Sequence, residues 1–321
     1  MERIKIIKKP KLRSPYLIVS WPGMGEVANK AARHLAEFLK AEEFAKIMPE
    51  NFFYLTAGLV REGILDLPEL PDGTFYFWKN KNAKNDLVIF ISNAQPDLAK
   101  AEEYSQRILK FAKNLKVKMV IDIAAMPQPI EHTQNPAVWF TATSRDLSNS
   151  LKKHNLSILS EGQISGMNGL FLGIAKKEGF QGFCLLGEIP LYTIQIENPK
   201  ASAAVLNLLG KILGMHIDLT KLSEQAHAMD EDINKLLDYL KLNTPLGPIG
   251  EEEIEKIKKS LSQLTKLPAS VKNKIDDLFN LARADLSKAK ELKVELDKWN
   301  VYKEYEDRFL DLFKKNKEGN N

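Results

Sequence analysis

A strand, a tight turn and a helix follow one another in the stretch Tyr16-Leu17-Ile18-Val19-Ser20-Trp21-Pro22-Gly23-Met24-Gly25-Glu26-Val27-Ala28. The apolar run over residues 16–21 predicts a buried strand. The Pro-Gly-x-Gly sequence behind it predicts a turn. Apolar residues then recur at helical spacings of three and four, at Val27, Ala31, Leu35 and Phe38.

The turn is expected to place backbone N–H groups at a helix N-terminus, an arrangement that suits an anion or a carboxylate. Gly23 and Gly25 allow positive φ and close approach of the backbone. The spacing also fits the dinucleotide pattern G-x-G-x-x-A. The acidic residue that this pattern needs at the end of the next strand is absent from residues 54–58, so a turn that only lets strand and helix pack is favoured.

Strands and helices alternate along the chain beyond this stretch. Continuous apolar runs at residues 87–91, 117–123 and 182–187 predict strands buried on both faces, and residues 98–114 predict a helix. The alternation predicts an α/β fold, a three-layer α/β/α sandwich with a mainly parallel sheet.

The region between the first helix and these runs is less regular. Residues 51–55 are predicted as a strand. Residues 56–73 are rich in glycine and proline and are predicted as a loop. Residues 74–78 are aromatic and strand-like.

The alternation stops near residue 215, and from about 220 the pattern is helical and rich in charge, with prolines and glycines interrupting it at 245–250. Amphipathic helices are predicted further on from a stripe of apolar side chains. We divide the chain into an α/β/α domain over 1–240 and a helical extension over 241–321. The stripe includes Leu278, Leu281, Leu292, Leu296, Tyr302, Tyr305, Phe309, Leu310 and Phe313.

Composition narrows the class of protein. The chain has 321 residues, 44% hydrophobic and 27% charged, which is typical of soluble globular proteins. The net charge of +4 arises from 46 basic and 42 acidic residues and predicts no nucleic-acid partner. The single cysteine excludes an intrachain disulfide, and no apolar run reaches the length of a membrane span. We therefore expect a cytoplasmic protein with no membrane contact.

A second glycine cluster lies at Gly162-Gln163-Ile164-Ser165-Gly166-Met167-Asn168-Gly169, at the entry to an apolar helix. It predicts a second anion-binding turn. A nucleophilic role for Ser165 would need Gly-x-Ser-x-Gly, which is absent, so Ser165 is interpreted as a helix N-cap.

Other polar residues stand at the ends of predicted strands. Glu188 follows a buried strand and is the better-placed carboxylate, whereas Asp122 lies inside an apolar run and needs a partner if buried. His132 lies in a proline-rich loop that follows another strand, a place where open α/β sheets bind ligands. Two interpretations are open, a ligand-binding residue and a surface histidine, and the surface histidine is favoured. Cys184 is interpreted as a small core residue. The histidine spacings fit no zinc motif, and we expect no metal, no cofactor and no catalytic residue.

These motifs together resemble the proteasome assembly chaperone 2 (PAC2) family, some members of which are labelled ATP-grasp-like. The resemblance rests on Trp21-Pro22-Gly23-Met24-Gly25, on the Ile-Ser-Gly-Met-Asn-Gly core at 164–169, and on Leu185-Leu186-Gly187-Glu188 followed by Pro199-Lys200-Ala201-Ser202. It implies a fold similar to nucleoside phosphorylases, a homo-oligomer (a trimer or a multiple of one) and proteasome subunits as protein partners. Members often end in a hydrophobic residue, Tyr and any residue, whereas this chain ends Gly319-Asn320-Asn321, so docking in that mode is not expected.

Two hypotheses about function remain open. The first is a non-enzymatic assembly chaperone or scaffold, with the helical extension used for oligomerisation or packed on its own sandwich. The second is an enzyme or binding protein for a small anionic or nucleotide-like ligand. In either case the predicted ligand- or partner-binding residues are Trp21, Pro22, Gly23, Met24, Gly25, Ser165, Gly166, Asn168, Gly169 and Glu188.

Overall fold

A computed structural model describes residues 4–49, 51–81, 84–154, 156–242, 269–299 and 301–314. Within these residues, nine strands form one sheet in the order β1-β3-β6-β7-β2-β8-β11-β9-β10, and two more form a separate hairpin. The strands are Ile4–Ile6 (β1), Tyr16–Ser20 (β2), Glu42–Ile47 (β3), Leu59–Arg61 (β4), Ile64–Asp66 (β5), Gly73–Trp78 (β6), Leu87–Ser92 (β7), Met119–Gln128 (β8), Val138–Ala142 (β9), Ser157–Ile158 (β10) and Gly182–Pro190 (β11).

The centre of the sheet is parallel and its flanks are mixed. β7, β2, β8 and β11 all run in the same direction. The pairs β1–β3, β3–β6, β6–β7 and β9–β11 are antiparallel, and β10 pairs parallel with β9. The predicted α/β class is confirmed, and the predicted parallel character belongs to the centre, where continuous apolar strands are buried on both faces.

Successive side chains of the central strands point to opposite faces of the sheet, so the protein has two hydrophobic cores, one on each face. On β2, Ile18 faces one core and Leu17 and Val19 face the other, and all three are fully buried. Burying a side chain of this size stabilises the fold by about 1.5–3 kcal/mol. Helices cover both faces of the sheet, as the sandwich predicts.

The helices are Val27–Phe38 (α1), Ala101–Asn114 (α2), Arg145–Lys152 (α3), Met167–Lys177 (α4), Pro199–Leu213 (α5), Thr220–Leu242 (α6), Ala269–Ala284 (α7), Ala289–Lys298 (α8) and Tyr302–Lys314 (α9). Buried residues of α1 and α5 line the core of Ile18, and those of α2 and α4 line the core of Leu17. α6 packs on α5. None of the described helices combines the length and the apolar character needed to cross a membrane.

The last three helices confirm the predicted amphipathic pattern. Leu292 and Leu296 are fully buried, and Phe279 stacks on Tyr305 with ring centroids 5.8 Å apart. Leu281, Leu310 and Phe313 stay exposed. Of the nine stripe residues, four are therefore buried and two half-buried. The break predicted at 245–250 lies outside the described residues.

Two predictions between β2 and β6 are wrong. Residues 51–55 form a turn and irregular backbone rather than a strand, and the strand lies earlier, at β3. The apolar pair Phe52-Phe53 reflects packing rather than a strand, because both rings contact the Tyr104 ring, at centroid distances of 4.9 and 5.7 Å. The predicted loop over 56–73 contains the hairpin β4–β5, whose two turn residues, Glu62 and Gly63, both have positive φ, as tight hairpins prefer.

Candidate functional site

The two glycine clusters lie at one edge of the sheet. Because β7, β2, β8 and β11 are parallel, their carboxyl ends meet at that edge, which is where open α/β sheets bind ligands. The Pro-Gly-x-Gly turn follows the end of β2, and α4 begins beside it.

Asn168 joins the two clusters directly. Its Oδ1 accepts a hydrogen bond from the Trp21 N–H at 2.8 Å, and its Nδ2 donates to the Trp21 carbonyl at 2.8 Å. Both residues are buried, with exposures of 5% for Asn168 and 0% for Trp21. The Asn168 side chain therefore makes both of the hydrogen bonds that a neighbouring strand would make to the backbone of Trp21, the residue that leads into the turn.

Gln95 makes a second bridge between the same clusters. Its Nε2 donates to the Pro22 carbonyl at 2.7 Å, and its Oε1 accepts from the Met167 N–H at 3.1 Å. Gln95 lies three residues after the end of β7, so the segment that follows this strand also contacts the two glycine clusters. Gln95 is not among the predicted site residues, because its position just beyond a predicted strand was its only signal in the sequence.

Gly25 is clamped on the other side of the turn. Its N–H donates to the Ile194 carbonyl at 2.8 Å, and its carbonyl accepts from the Asn198 N–H at 2.7 Å. Its φ is +61°, and a Cβ there would lie 3.3 Å from Asn198 and from Ile189. Glycine is therefore required both by the left-handed backbone and by the close approach of the neighbouring segment.

These bonds occupy N–H groups that an anion would need. The Gly25 N–H is taken by Ile194, the Glu26 N–H by the Gly23 carbonyl at 3.0 Å, and the Met167 N–H by Gln95. The geometry thus favours a rigid junction at these groups. Binding of an anion by the two turns stays a prediction.

The remaining residues of the second cluster take different places. Ser165 is exposed, and the N-cap of α4 is Gly166, which has a φ of +75° and no side chain to cap with, so the N-cap interpretation of Ser165 is wrong. Gly169 packs so closely on Ile164 that a Cβ would lie 2.5 Å from the Ile164 carbonyl oxygen.

Glu188 makes its bonds elsewhere. Its Oε2 accepts from the Ala137 N–H at 2.9 Å, and its Oε1 accepts from the Trp139 indole N–H at 2.7 Å. The carboxylate thus fixes the start of β9 beside β11.

His132 is buried, with 7% exposure, and the surface interpretation of this residue is wrong. Its Nδ1 lies 2.9 Å from the Tyr192 hydroxyl and its Nε2 lies 2.9 Å from the Asn234 Oδ1. Lys200 donates to the His132 carbonyl at 2.6 Å and forms an ion pair with Asp230. This polar cluster docks α6 against the carboxyl edge of β8.

Asp122 and Cys184 are paired neighbours on β8 and β11, and both are fully buried. The Asp122 Oδ1 accepts from the Ile123 N–H at 2.8 Å, but its Oδ2 has no partner among the residues that the structure describes. Burial raises the pKa of Asp122 well above its ordinary value and also raises the pKa of the Cys184 thiol. The core-residue interpretation of Cys184 is confirmed.

An apolar surface projects from the same edge. Gly73, the first residue of β6, pairs with Ile47 at the end of β3 and with Ser92 at the end of β7, so β3 ends and β6 begins at this edge. The hairpin β4–β5 lies between β3 and β6 in sequence. We call residues 54–67 the exposed hairpin segment. Its large apolar side chains are 37–77% exposed and comprise Tyr54, Leu55, Leu59, Val60, Ile64, Leu65 and Leu67. In the sequence, Arg61-Glu62-Gly63 between the apolar pairs Leu59-Val60 and Ile64-Leu65 was the signal for this hairpin.

Comparison with known proteins gives a consistent set of relatives. A model of the PAC2 family matches residues 17–237 of the chain. The uncharacterized protein MJ1210 of Methanocaldococcus jannaschii is 28% identical over 233 residues, covering 70% of this chain and 84% of that protein.

Two solved structures from Pyrococcus furiosus are similar over most of the chain. PbaB, described as an archaeal proteasome activator, superposes with a TM-score of 0.64 at 30% identity, covering 74% of this chain and 99% of PbaB. PbaA, described as an archaeal homolog of proteasome-assembly chaperone, gives a TM-score of 0.56 at 25% identity, covering 73% of this chain and 96% of PbaA.

Proposed function

The chain belongs to the PAC2 family, and from this premise we propose that it is a cytoplasmic, non-enzymatic assembly factor whose partners are protein subunits, with proteasome α-subunits as the first candidates. The descriptions of PbaB and PbaA support this class of partner. The chain acts by presenting a rigid surface to other proteins.

The observation that carries the proposal is the exposed hairpin segment. A two-stranded hairpin is marginally stable alone in water. Here Val60, Ile64 and Leu65 are each 63–70% exposed. Contiguous exposed apolar surface of this kind marks protein–protein contacts. A protein surface that covers the hairpin would bury these side chains and hold its two strands together.

We assign the hairpin to contact between copies of this chain, forming the homo-oligomer that presents the carboxyl edge to a partner. The segment consists mainly of apolar and small residues, with few charges to select a partner of opposite sign. Apolar surface of this composition is typical of homo-oligomer interfaces. A trimer, or a multiple of one, is the expected state.

Sedimentation velocity of the full chain and of a Val60→Asp/Leu65→Asp variant tests the assignment. The variant is expected to sediment as a monomer, because two carboxylates cannot be buried unpaired in the contact. Leu98→Asp is the matched control, since Leu98 is 78% exposed but lies outside the hairpin segment. A variant that keeps the mass of the unaltered chain would exclude the hairpin as the contact.

A pull-down with proteasome α-subunits of the same host tests the function itself. We expect capture by the unaltered chain and by Leu98→Asp, and loss or weakening of capture with the hairpin variant. Absence of capture by the unaltered oligomer would contradict the partner, whatever the hairpin does.

The rival function, binding of a small anionic or nucleotide-like ligand by the glycine turns, has less support. The N–H groups of Gly25, Glu26 and Met167 already donate to protein acceptors. A thermal-shift screen with phosphate and nucleotides tests it, and stabilisation that Gly25→Leu abolishes would favour it over the assembly role for this edge.

A further inference from the structure

A cavity of about 500 Å³ lies between the edge strand β1 and the helix α2. Residues within 4–10, in β1 and the segment that follows it, line one side, and residues within 107–115, in α2 and just beyond it, line the other. The lining includes no residue of the glycine clusters or of the exposed hairpin segment. The volume of the cavity falls within the range of small-molecule sites.

The wall of this cavity is mainly apolar. Phe44 of β3 and Phe111 of α2 are buried beneath it and stack on each other, with ring centroids 5.9 Å apart. Ile6 is 47% exposed, and Ile4 and Leu115 are half-buried, so these three side chains present carbon surface to a ligand. An apolar chain bound here would remove part of that surface from water, which favours binding.

The polar groups of the cavity are mainly basic. Lys8, Lys9, Arg107 and Lys110 line it, and among the described residues its lining includes no aspartate or glutamate. Lys8 is paired with Glu42 at 2.7 Å. Lys9 is exposed, and no carboxylate in the described part of the chain is paired with it. The charge of the lining therefore favours an anion.

Arg107 has a buried hydrogen-bond donor without an acceptor. Its Nη2 donates to the Glu103 Oε1 at 2.6 Å, and its guanidinium lies over the Phe52 ring, 4.4 Å from the centroid. Its Nη1 is buried and has no partner among the described residues. A donor left in this way destabilises the fold, and an acceptor from a bound molecule would remove that cost. A carboxylate is the acceptor that bonds a guanidinium most strongly among side-chain-like groups.

We propose that this cavity binds a monocarboxylate with an apolar chain, the chemistry of a fatty acid. The chain lies along Ile4, Ile6 and Leu115, above the two phenylalanine rings, and the carboxylate lies at Lys9 and Arg107. Both parts of the ligand follow from the lining, because a neutral chain would leave the cations unmatched and a small anion would leave the apolar wall uncovered. This inference does not depend on the assembly role.

Isothermal titration of the full chain tests the charge and the chain of the ligand separately. Octanoate is compared with octan-1-ol and octylammonium, which have the same number of carbon atoms, and with decanoate, which is two methylenes longer. Octanoate is expected to bind more than about tenfold more tightly than octan-1-ol or octylammonium, because charge-assisted hydrogen bonds form only with the carboxylate. Decanoate is expected to bind about tenfold more tightly than octanoate, because it buries more apolar surface.

Two substitutions separate the charge of the cavity from its apolar wall. Lys9→Gln is expected to weaken octanoate binding about threefold to fivefold and to leave octan-1-ol binding unchanged. Ile6→Ser is expected to weaken binding of both compounds about threefold to tenfold, because apolar contact is lost. Lys11→Gln and Ile158→Ser are the matched controls, since both side chains are exposed and lie outside the lining.

The proposal is overturned if octanoate does not bind, if octan-1-ol or octylammonium binds as tightly, or if Lys9→Gln and Ile6→Ser bind octanoate like their controls. Sedimentation velocity of Ile6→Ser tests the other occupant of such a cavity, a second copy of the chain. An oligomer that Ile6→Ser dissociates and Ile158→Ser does not would assign the cavity to contact between copies, which also overturns the fatty-acid site.

Discussion

Asn168 and Trp21 are 147 residues apart in the chain, yet the Asn168 amide bonds both the N–H and the carbonyl of Trp21 at 2.8 Å. The contact fixes the start of α4 to the end of β2. It explains why the two glycine clusters belong to one structural unit. The unit depends on a side chain rather than on paired strands, so single substitutions can test it.

Replacing Asn168 with Leu is expected to lower the free energy of unfolding by about 2–5 kcal/mol, because two buried backbone groups lose their partner. Urea unfolding followed by circular dichroism measures the change. Asn207→Leu is the matched control, since Asn207 is exposed on α5. Equal stability of the two variants would show that Asn168 does not hold the junction.

Gly25→Ala is expected to destabilise the fold by about 2 kcal/mol, because φ is +61° and the new Cβ would press on Asn198 and Ile189. Gly173→Ala makes the same chemical change in α4, where nothing lies within 4 Å of the added atom. There the substitution should stabilise the helix by about 0.5–1 kcal/mol. Thermal denaturation of both variants should therefore shift Tm in opposite directions; a shift in the same direction would contradict the strained turn.

Asp122→Asn is expected to change the pH dependence of stability. Burial raises the pKa of Asp122, so the folded state keeps a proton that the unfolded state loses above about pH 4. The stability associated with this proton is complete below that pH and is lost as the pH rises toward the folded-state pKa, at up to about 1.4 kcal/mol per pH unit.

The difference in unfolding free energy between the unaltered chain and Asp122→Asn, measured from pH 5 to 9, isolates this group. We expect the variant to gain stability relative to the unaltered chain as the pH rises. Asp277→Asn, at an exposed carboxylate, is the control. A constant difference across the range would mean that Asp122 is ionised in the fold.

Tyr192→Phe is expected to loosen the attachment of α6. The lost hydroxyl accepts the His132 N–H at 2.8 Å and lies 2.9 Å from the His132 ring, so a buried N–H loses its partner, at about 1–3 kcal/mol. Hydrogen exchange of α6 amides should accelerate. Tyr54→Phe removes a hydroxyl from a ring that is 61% exposed and should leave exchange unchanged. Slow exchange in both variants would argue that other contacts hold α6.

Sequence patterns predicted the elements whose environment is uniform along their length. β7 and the body of β8 are buried on both faces, so their side chains are apolar except for Asp122 in β8 and Ser92 at the end of β7, and both strands can be recognised locally. β3 was missed because it lies near the margin of the sheet and its sequence, Glu42-Glu43-Phe44-Ala45-Lys46-Ile47, has neither a continuous apolar run nor a strict alternation of polar and apolar residues. Phe52 led to the opposite error, a strand predicted where none exists, because its buried ring belongs to a turn.

The sequence alone determined the central strands and the helices beside them, the helical extension and the positions where glycine is needed, because backbone preference and hydrophobic period act over a few residues. Only the tertiary structure decided which loops meet. Asn168, Gln95 and Asn198 reach the Trp21–Gly25 turn because the strand order brings β7 and β11 to either side of the β2–β8 pair. Hydrogen bonds between residues so far apart depend on that order, and no local pattern encodes it.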